Sequence, residues 1–321
     1  MKFNKKIIIF TLISFLLLGT VSTLGADYPS KDIKMICNGG VGGGTDSIVR
    51  NISSIAEKYL PASMYVVNVT GGSTASGPFQ VMNEDPDGYT IGNLVYDSVV
   101  TAEYRELIPG YDLDKLEMIA QITSEADAFI VKTDSKWKNF QDLIDSAKEN
   151  PGRIKVGNNG MGSRSYLAIK RVEEAYDVDF QEITYVKGSG PQKEALLAGE
   201  IDAVVTSLGD FASVLNSGEA RGLAEMATER NKKYNVPTFV EMGHEDLVAG
   251  SFVIIAAPAD TPENVVNTLE EAFYKGYNSD EFQNWLEKVG VTGTWRSGEE
   301  LDEFIEQKQN KEFKMLDRIE E

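Results

Sequence analysis

A short apolar run, Ile33 to Cys37, meets a nine-residue stretch holding five glycines, Asn38-Gly39-Gly40-Val41-Gly42-Gly43-Gly44-Thr45-Asp46, and apolar positions at helical spacing follow at once. Those positions are Ile48, Val49, Ile52, Ile55, Ala56, Tyr59 and Leu60, with Pro61 ending the run. Strand, tight turn and helix in that order are the first half of a crossover unit. Such a unit belongs in a mainly parallel sheet covered by helices, the α/β class.

The same alternation runs to the end of the chain. Tyr65 to Val69 and Thr90 to Val95 read as strands, the second introduced by the tight turn Pro86-Asp87-Gly88-Tyr89. Met118 to Thr123 and Ala128 to Lys132 read as two strands flanking a polar break, and a first passage between lobes is expected near Ser124 to Asp127. Asn139 should cap a helix through Phe140, Leu143, Ile144 and Ala147, which Pro151-Gly152 ends before a strand at Ile154 to Gly157. Pro191 opens another helix, Gly199 stops it, and Ile201 to Thr206 reads as a buried strand. The return passage is expected near Ala249 to Ala256. Apolar stripes along Val265 to Phe273 and Phe282 to Val289 read as core helices, and Ser297 with Glu300 as a capping box for the last helix.

Lys2, Lys5 and Lys6 precede an apolar stretch from Ile7 to Gly19 that ends in small residues around Thr23, Gly25 and Ala26. This is the pattern of a cleaved secretory signal peptide over 1–26. The stretch is shorter than the roughly 20 residues a membrane span requires. The single cysteine, Cys37, lies too far downstream to carry a lipid and excludes an intramolecular disulfide. A free periplasmic protein is expected. Roughly 295 residues then remain, more than one core usually holds, so two lobes are expected: 27–125 plus 250–321, and 126–249.

Removing the three leader lysines from 31 Lys and Arg leaves 28 against 50 acids, a formal charge of −22. Nucleic acid is excluded as a partner on that balance. The same field repels an anionic ligand, although salt screens it beyond about 8–10 Å. An anion site on this chain therefore needs strong local donors.

The glycine turn offers them. Backbone N–H groups of Gly43, Gly44 and Thr45 should leave the sheet's carboxyl edge at the amino terminus of a helix, the geometry of an anion cradle, with Val41 and Gly42 in the same turn. A tight connection with no ligand is the alternative, and both stay open. No Gly-Lys-Ser/Thr follows, so the turn is not a phosphate loop, and Asp46 should cap backbone donors. A second turn, Gly157-Asn158-Asn159-Gly160-Met161-Gly162-Ser163-Arg164-Ser165, joins a strand to a helix in the other half of the chain. Its candidates are Asn158, Gly160, Gly162, Ser163, Arg164 and Ser165. Arg164 either brings a full positive charge to a ligand or points to solvent. A third turn, Lys187-Gly188-Ser189-Gly190-Pro191, adds Gly188 and Ser189, and Ser98, after the strand that ends at Val95, completes the set. No catalytic set emerges: the one histidine, His244, stands in a loop, no Gly-x-Ser-x-Gly elbow occurs, and no metal or cofactor motif is present.

Tyr28-Pro29 before the first strand, Gly42-Gly43-Gly44-Thr45-Asp46, Pro86-Asp87-Gly88-Tyr89-Thr90, Tyr185-Val186-Lys187-Gly188-Ser189-Gly190-Pro191, Val236-Pro237-Thr238 with Glu241-Met242-Gly243, and Ala257-Pro258 with Thr261-Pro262 occur in that order. Together they resemble the Bug/TctC family, the extracytoplasmic receptors of tripartite tricarboxylate transporters. The resemblance implies a two-lobe periplasmic-binding-protein fold, type II-like, that closes on a small organic anion held by the first and second turns. It also implies delivery of a mono-, di- or tricarboxylate, an amino acid or an aromatic acid, by a monomeric receptor, to a permease of one large and one small integral-membrane subunit. Two departures bear on the ligand. Asn38-Gly39-Gly40-Val41 replaces the family's proline-aromatic-proline run, and Tyr166 stands where the family has a histidine. The amides of Asn38, Asn158 and Asn159 are then candidates for a ligand with added hydroxyl or amino groups. A sensor module working with a histidine kinase and a secreted hydrolase are the readings from other classes.

Overall fold

The computed structural model describes residues 28–185 and 188–320; the leader, and Val186-Lys187 of the third turn, lie outside the described residues. The first turn behaves as its sequence demands. β1 (Ile33–Cys37) runs into α1 (Gly44–Ala56), and β2 (Met64–Asn68), α2 (Ser76–Val81) and β3 (Thr90–Leu94) follow, with β2 and β3 both parallel to β1. After the short helices α3 (Tyr96–Val99) and α4 (Thr101–Tyr104), the chain enters a strand of 17 residues, β4 (Leu116–Lys132).

β4 joins the two halves of the molecule. From Leu116 to Ala126 it pairs antiparallel with β9 (Gly250–Pro258), and from Asp127 to Val131 with β7 (Ala203–Ser207). The expected break at Ser124 to Asp127 is therefore not a break. Ser124, Glu125 and Ala126 stay on the β9 ladder, and the Asp127 N–H donates to the Ala249 carbonyl at 3.0 Å. With every backbone group satisfied, polar side chains do not interrupt a strand. The change of partner falls at Ala126/Asp127 on the way out and at Ala249/Gly250 on the way back.

The second half contains α5 (Phe140–Glu149), β5 (Lys155–Asn158), α6 (Arg164–Tyr176), β6 (Gln181–Thr184), α7 (Ser189–Ala198), α8 (Ala212–Asn216) and β8 (Ala220–Glu225). Asn139 caps α5 in a reciprocal box with Asp142, and Gly199 ends α7 in the left-handed conformation, both as the sequence suggests. The tail returns through α9 (Glu263–Tyr277), α10 (Asp280–Val289), β10 (Gly293–Arg296) and α11 (Gly298–Glu320). The order is β2-β1-β3-β9-β4-β10 in the first sheet and β6-β5-β7-β4-β8 in the second.

Each sheet buries both faces, and the strand period of two assigns side chains to them. Ile33 and Met35 face α1, α9 and α10, whereas Ile36 joins Leu94, Ile254 and the α11 residues Leu301 and Leu316. In the second sheet Phe129 and Val131 pack with α5 and Phe239, while Ala128 and Ile130 face Leu196 and Phe211. Filling each such position stabilises the fold by about 1.5–3 kcal/mol.

α11 also ties the halves together. Its Leu316 shares a cluster with Leu167 of α6, and its buried Glu312 pairs with Arg171 of α6 and accepts from Tyr96 Oη at 2.7 Å. The two side chains of the capping box expected at its start have other partners. The Ser297 hydroxyl donates to Glu270 Oε1 at 2.7 Å, and Glu300 pairs with Arg296 at 3.4 Å.

Candidate ligand-binding site

The first turn is open to solvent at its tip. Val41 is 80% exposed, and Gly42 adopts φ +76°. Gly43 is the N-cap of α1 and no side chain caps the helix there, which leaves its first amides without a side-chain acceptor. Asp46 braces the turn from behind, as expected: its Oδ2 accepts from the Gly42 N–H at 2.9 Å, and its Oδ1 from Arg50 Nε at 2.9 Å and Asn68 Nδ2 at 2.7 Å. Burial pushes the Asp46 carboxyl up, but the bonds from Arg50, Asn68 and Gly42 outweigh it and hold it below the usual range.

The second turn has the same strand-to-helix grammar and the opposite environment. Gly162, Ser163, Arg164 and Ser165 are all buried. The other half of the molecule covers them: Thr101 Oγ1 donates to the Gly162 carbonyl at 2.9 Å, and Asp97 Oδ1 accepts from the Arg164 N–H at 3.0 Å. Gly162 has φ +75°, and a Cβ there would land on the Arg105 guanidinium. The Arg164 side chain turns inward and pairs with Asp127 Oδ1, so it does not point to solvent.

Around Arg164 stand four carboxylates that sequence reasoning did not place in the site: Asp97, Glu125, Asp127 and Asp210. Glu125 and Asp127 are alternate residues of β4, hence on one face, at the crossing point. Asp210 follows β7. It accepts from Thr206 Oγ1 at 2.9 Å, and its Oδ1 lies 2.7 Å from where a Gly44 Cβ would be. Asp210 therefore links the two turns, touching the first and interacting with the arginine of the second. Burial, helped by Asp210 and opposed by Arg164, pushes Glu125 up to about 7. Burial pushes Asp127 up to about 6 against the pull of Arg164, and raises Asp97 as well. A polar Ser-Glu-Ala-Asp stretch inside an otherwise apolar strand, and an aspartate just past a buried strand's carboxyl end, were the available signals.

Other candidates are consumed locally. The Ser98 hydroxyl accepts from Val95 N and donates to Val95 O, capping α3 rather than facing the cleft. Ser163 Oγ accepts from Tyr166 N, and Ser165 Oγ from Asn159 N. The three amides proposed for a ligand are engaged too: Asn38 with Thr74 and Asn93, Asn158 with Glu182 and Gly160, Asn159 with Gln192. Gly160 has φ +111° and shapes the turn. Gly188, at φ +85°, caps α7, which Ser189 begins, and nothing lies within 4 Å of a Cβ placed on it. Tyr166 is half-buried against the α11 cluster. His244 packs against Tyr176 with tilted rings, centroids 4.6 Å apart, in a loop of the second half. Among the described residues, no group of three or more His, Cys, Asp or Glu is placed to hold a metal ion.

A separate groove of about 1130 Å³ lies on the other face of the crossing strand, lined by Ser124, Ala126, Arg230, Lys233, Gly290 and Arg296 among others. Asn231 Nδ2 spans it to the Gly290 carbonyl at 2.9 Å. Asp97, Asp127, Arg164 and Asp210 are not among its lining residues, whereas Glu125 lies beside it, in a small adjoining cavity shared with Asn231, Gly290 and Thr292.

Two α/β lobes joined through crossing strands, with strand-to-helix turns gathered where they meet, define a solute-binding protein. The model of the tripartite tricarboxylate transporter family receptor, TctC, matches residues 48–320, and the chain belongs to that family. A UPF0065 protein of Bordetella pertussis is 27% identical over 308 residues, covering 94% of each chain. A TctC solute-binding protein from Polaromonas, solved without ligand, is 26% identical over 91% of this chain and 99% of its own, with a TM-score of 0.72. MatC from Rhodopseudomonas palustris, solved with bound malate, shares the fold at a TM-score of 0.78 and 21% identity, over 90% of this chain and all of its own. The family is one of transport receptors, not enzymes.

Proposed function

We propose that this protein is an exported, periplasmic receptor that captures a small carboxylate between its lobes and delivers it to a tripartite tricarboxylate transporter with one large and one small membrane subunit. The family match carries the reading. It is supported by the uncapped amides of Gly44 and Thr45 at the start of α1, which suit a carboxylate oxygen, and by the malate in MatC. The lobes are 27–125 plus 250–321, and 126–249. Residues 1–26 are a leader removed on export. The ligand residues on this reading are Val41, Gly42, Gly43, Gly44, Thr45 and Asp46 in the first turn, Asn158, Gly160, Gly162, Ser163, Arg164 and Ser165 in the second, and Gly188 and Ser189; Ser98 is not among them, because its hydroxyl is taken up by Val95.

Function follows from a two-state hinge. The contacts of Asp97, Thr101 and Arg105 with the second turn form only when the lobes meet, so a solute gripped by both turns favours the closed form the permease reads. The test is a thermal-shift screen of the purified protein against carboxylates and neutral sugars, followed by X-ray scattering with the best ligand. A carboxylate that raises the midpoint and contracts the scattering envelope supports the reading; stabilisation by sugars alone overturns it.

A further inference from the structure

The charges in the cleft do not match a solute that carries only carboxylates. Two cations stand there, Arg105 against Gly162 and the buried Arg164, and Arg164 interacts with four carboxylates, Asp97, Asp127, Asp210 and Glu125. One helix amino terminus already holds an aspartate from the opposite lobe and the other has one close by: Asp97 accepts from the first amide of α6, and Asp210 Oδ1 lies 2.7 Å from where a Cβ on Gly44, the first residue of α1, would be. The end of α6 is thus answered by a protein carboxylate, and the end of α1 keeps amides without a side-chain cap. Beyond the helix ends and the two arginines, the cleft presents the carboxylates of Glu125, Asp127 and Asp210.

One acceptor is unmet. Asp127 is fully buried, its Oδ1 pairs with Arg164, and its Oδ2 has no hydrogen-bond partner among the described residues. Beside the second turn, Gln192 is also fully buried; its Nε2 bonds Asn159 Oδ1 while its Oε1 has no partner among the described residues. A buried acceptor without a donor is costly, and a carboxylate oxygen more so than an amide oxygen. A dicarboxylate supplies no donor and adds two negative charges where solvent is excluded. A primary ammonium supplies three donors and a positive charge. A metal ion is a poorer answer, because the carboxylates do not converge on one point.

We propose that the cleft contains an ammonium subsite at Asp127, flanked by Asp97 and Asp210, and that the solute is a small amino-carboxylate. This rests on the carboxylate reading of the first turn. The solute's carboxylate takes the amides of Gly44 and Thr45, and its ammonium meets Asp127 Oδ2 and the Asp210 carboxylate beside Gly44. Each end then satisfies groups the other cannot, and the net charge of the closed cleft is unchanged by binding.

Calorimetry on the purified protein with matched pairs separates the two claims: succinate against β-alanine, glutarate against γ-aminobutyrate, α-amino acids, and putrescine as a diamine without a carboxylate. The expected result is at least tenfold tighter binding of the amino-carboxylate in a pair, a loss of at least tenfold in Asp127→Asn, and no such loss for any dicarboxylate that binds. Asp210→Asn, which leaves the Arg164 pair intact, should weaken amino-carboxylate binding in the same direction. Dicarboxylates binding as tightly as their amino partners would overturn the ammonium subsite and leave the carboxylate receptor standing. Binding of putrescine alone would overturn the carboxylate half, and with it the amino-carboxylate.

Discussion

The two glycine-rich turns are built on one plan and live in different solvents. In the first, a strand, a run of glycines and an uncapped helix end at an exposed Val41, and its arginine, Arg50, is 45% exposed where it pairs with Asp46. In the second, the same elements are roofed by Thr101, Asp97 and Arg105, and its arginine, Arg164, is 8% exposed where it pairs with Asp127. Glycine content fixes the shape of such a turn. What covers the turn fixes its energetics, and that is decided by residues far away in the chain.

The sharpest way to break this contrast is to remove each arginine. Arg164→Met should cost about 3–5 kcal/mol, because it strands Asp127 and its neighbours as buried charges without a partner. Arg50→Met removes an exposed pair worth about 0–1 kcal/mol. Urea denaturation of the two variants measures the difference, and similar losses would mean the second turn is not buried in solution. Adding Asp127→Asn to Arg164→Met should recover part of the loss, since the stranded charge goes with it.

This asymmetry was only partly legible in the sequence. Local signals located both turns, the Asn139 cap, the Gly199 stop and the bracing role of Asp46, because these are set by neighbours within a few residues. The continuity of β4 through Ser124 to Asp127 was not legible, since it depends on β9, more than a hundred residues later, supplying the ladder. For the same reason Ser98 looked like a ligand residue when it is a helix cap, and Asp97, one position away, went unnoticed although it binds the Arg164 amide. Asp127 and Asp210 could be suspected only as acids in or beside apolar strands. Their convergence on Arg164 is a product of tertiary structure.

Gly42 and Gly162 have φ +76° and +75°, but a Cβ on Gly42 meets nothing within 4 Å, whereas one on Gly162 meets Arg105. Gly42→Ala should cost about 1–2 kcal/mol, the left-handed penalty alone. Gly162→Ala should cost more and also displace the lobe that carries Arg105, visible as a larger radius of gyration. Equal costs would show that the lobes do not close on the second turn. Any loss of binding in Gly162 variants thus reports on closure as much as on a ligand.

The pH dependence sharpens the same point at smaller amplitude. Glu125 at about 7 and Asp127 at about 6 are raised by burial above the ordinary values near 4, so the folded form holds more protons than the unfolded chain. Their contribution to stability is complete below about pH 4 and is lost as pH rises through about 6 to 7. Melting temperature should fall between pH 5 and pH 8, and less so in Glu125→Gln. Glu225, raised to about 7 by burial, acts with the same sign and remains in that variant, so the slope should shrink without vanishing. The first turn contributes oppositely: Asp46 is lowered, and its support appears above the ordinary carboxylate range and is lost as pH falls through its depressed value. Asp46→Asn should therefore flatten the acid limb and leave the fall from pH 5 to pH 8 unchanged.

The smallest effect on stability comes from the position where the two turns are linked. Gly44 is the first residue of α1, and a Cβ there would stand 2.7 Å from Asp210 Oδ1, the free end of a side chain that can swing aside. Alanine favours the helix over glycine by about 0.5–1 kcal/mol in a helix interior and by less at its first turn, which offsets the displaced contact. Gly44→Ala should thus melt within about 0.5 kcal/mol of the parent, the range of an ordinary surface change. It nevertheless pushes a carboxylate of one lobe away from the helix end of the other. If that contact helps hold the empty lobes together, scattering should show a more open population at unchanged stability; an unchanged radius of gyration would mean that closure rests on the roof of the second turn and on the contacts of α11 with α6.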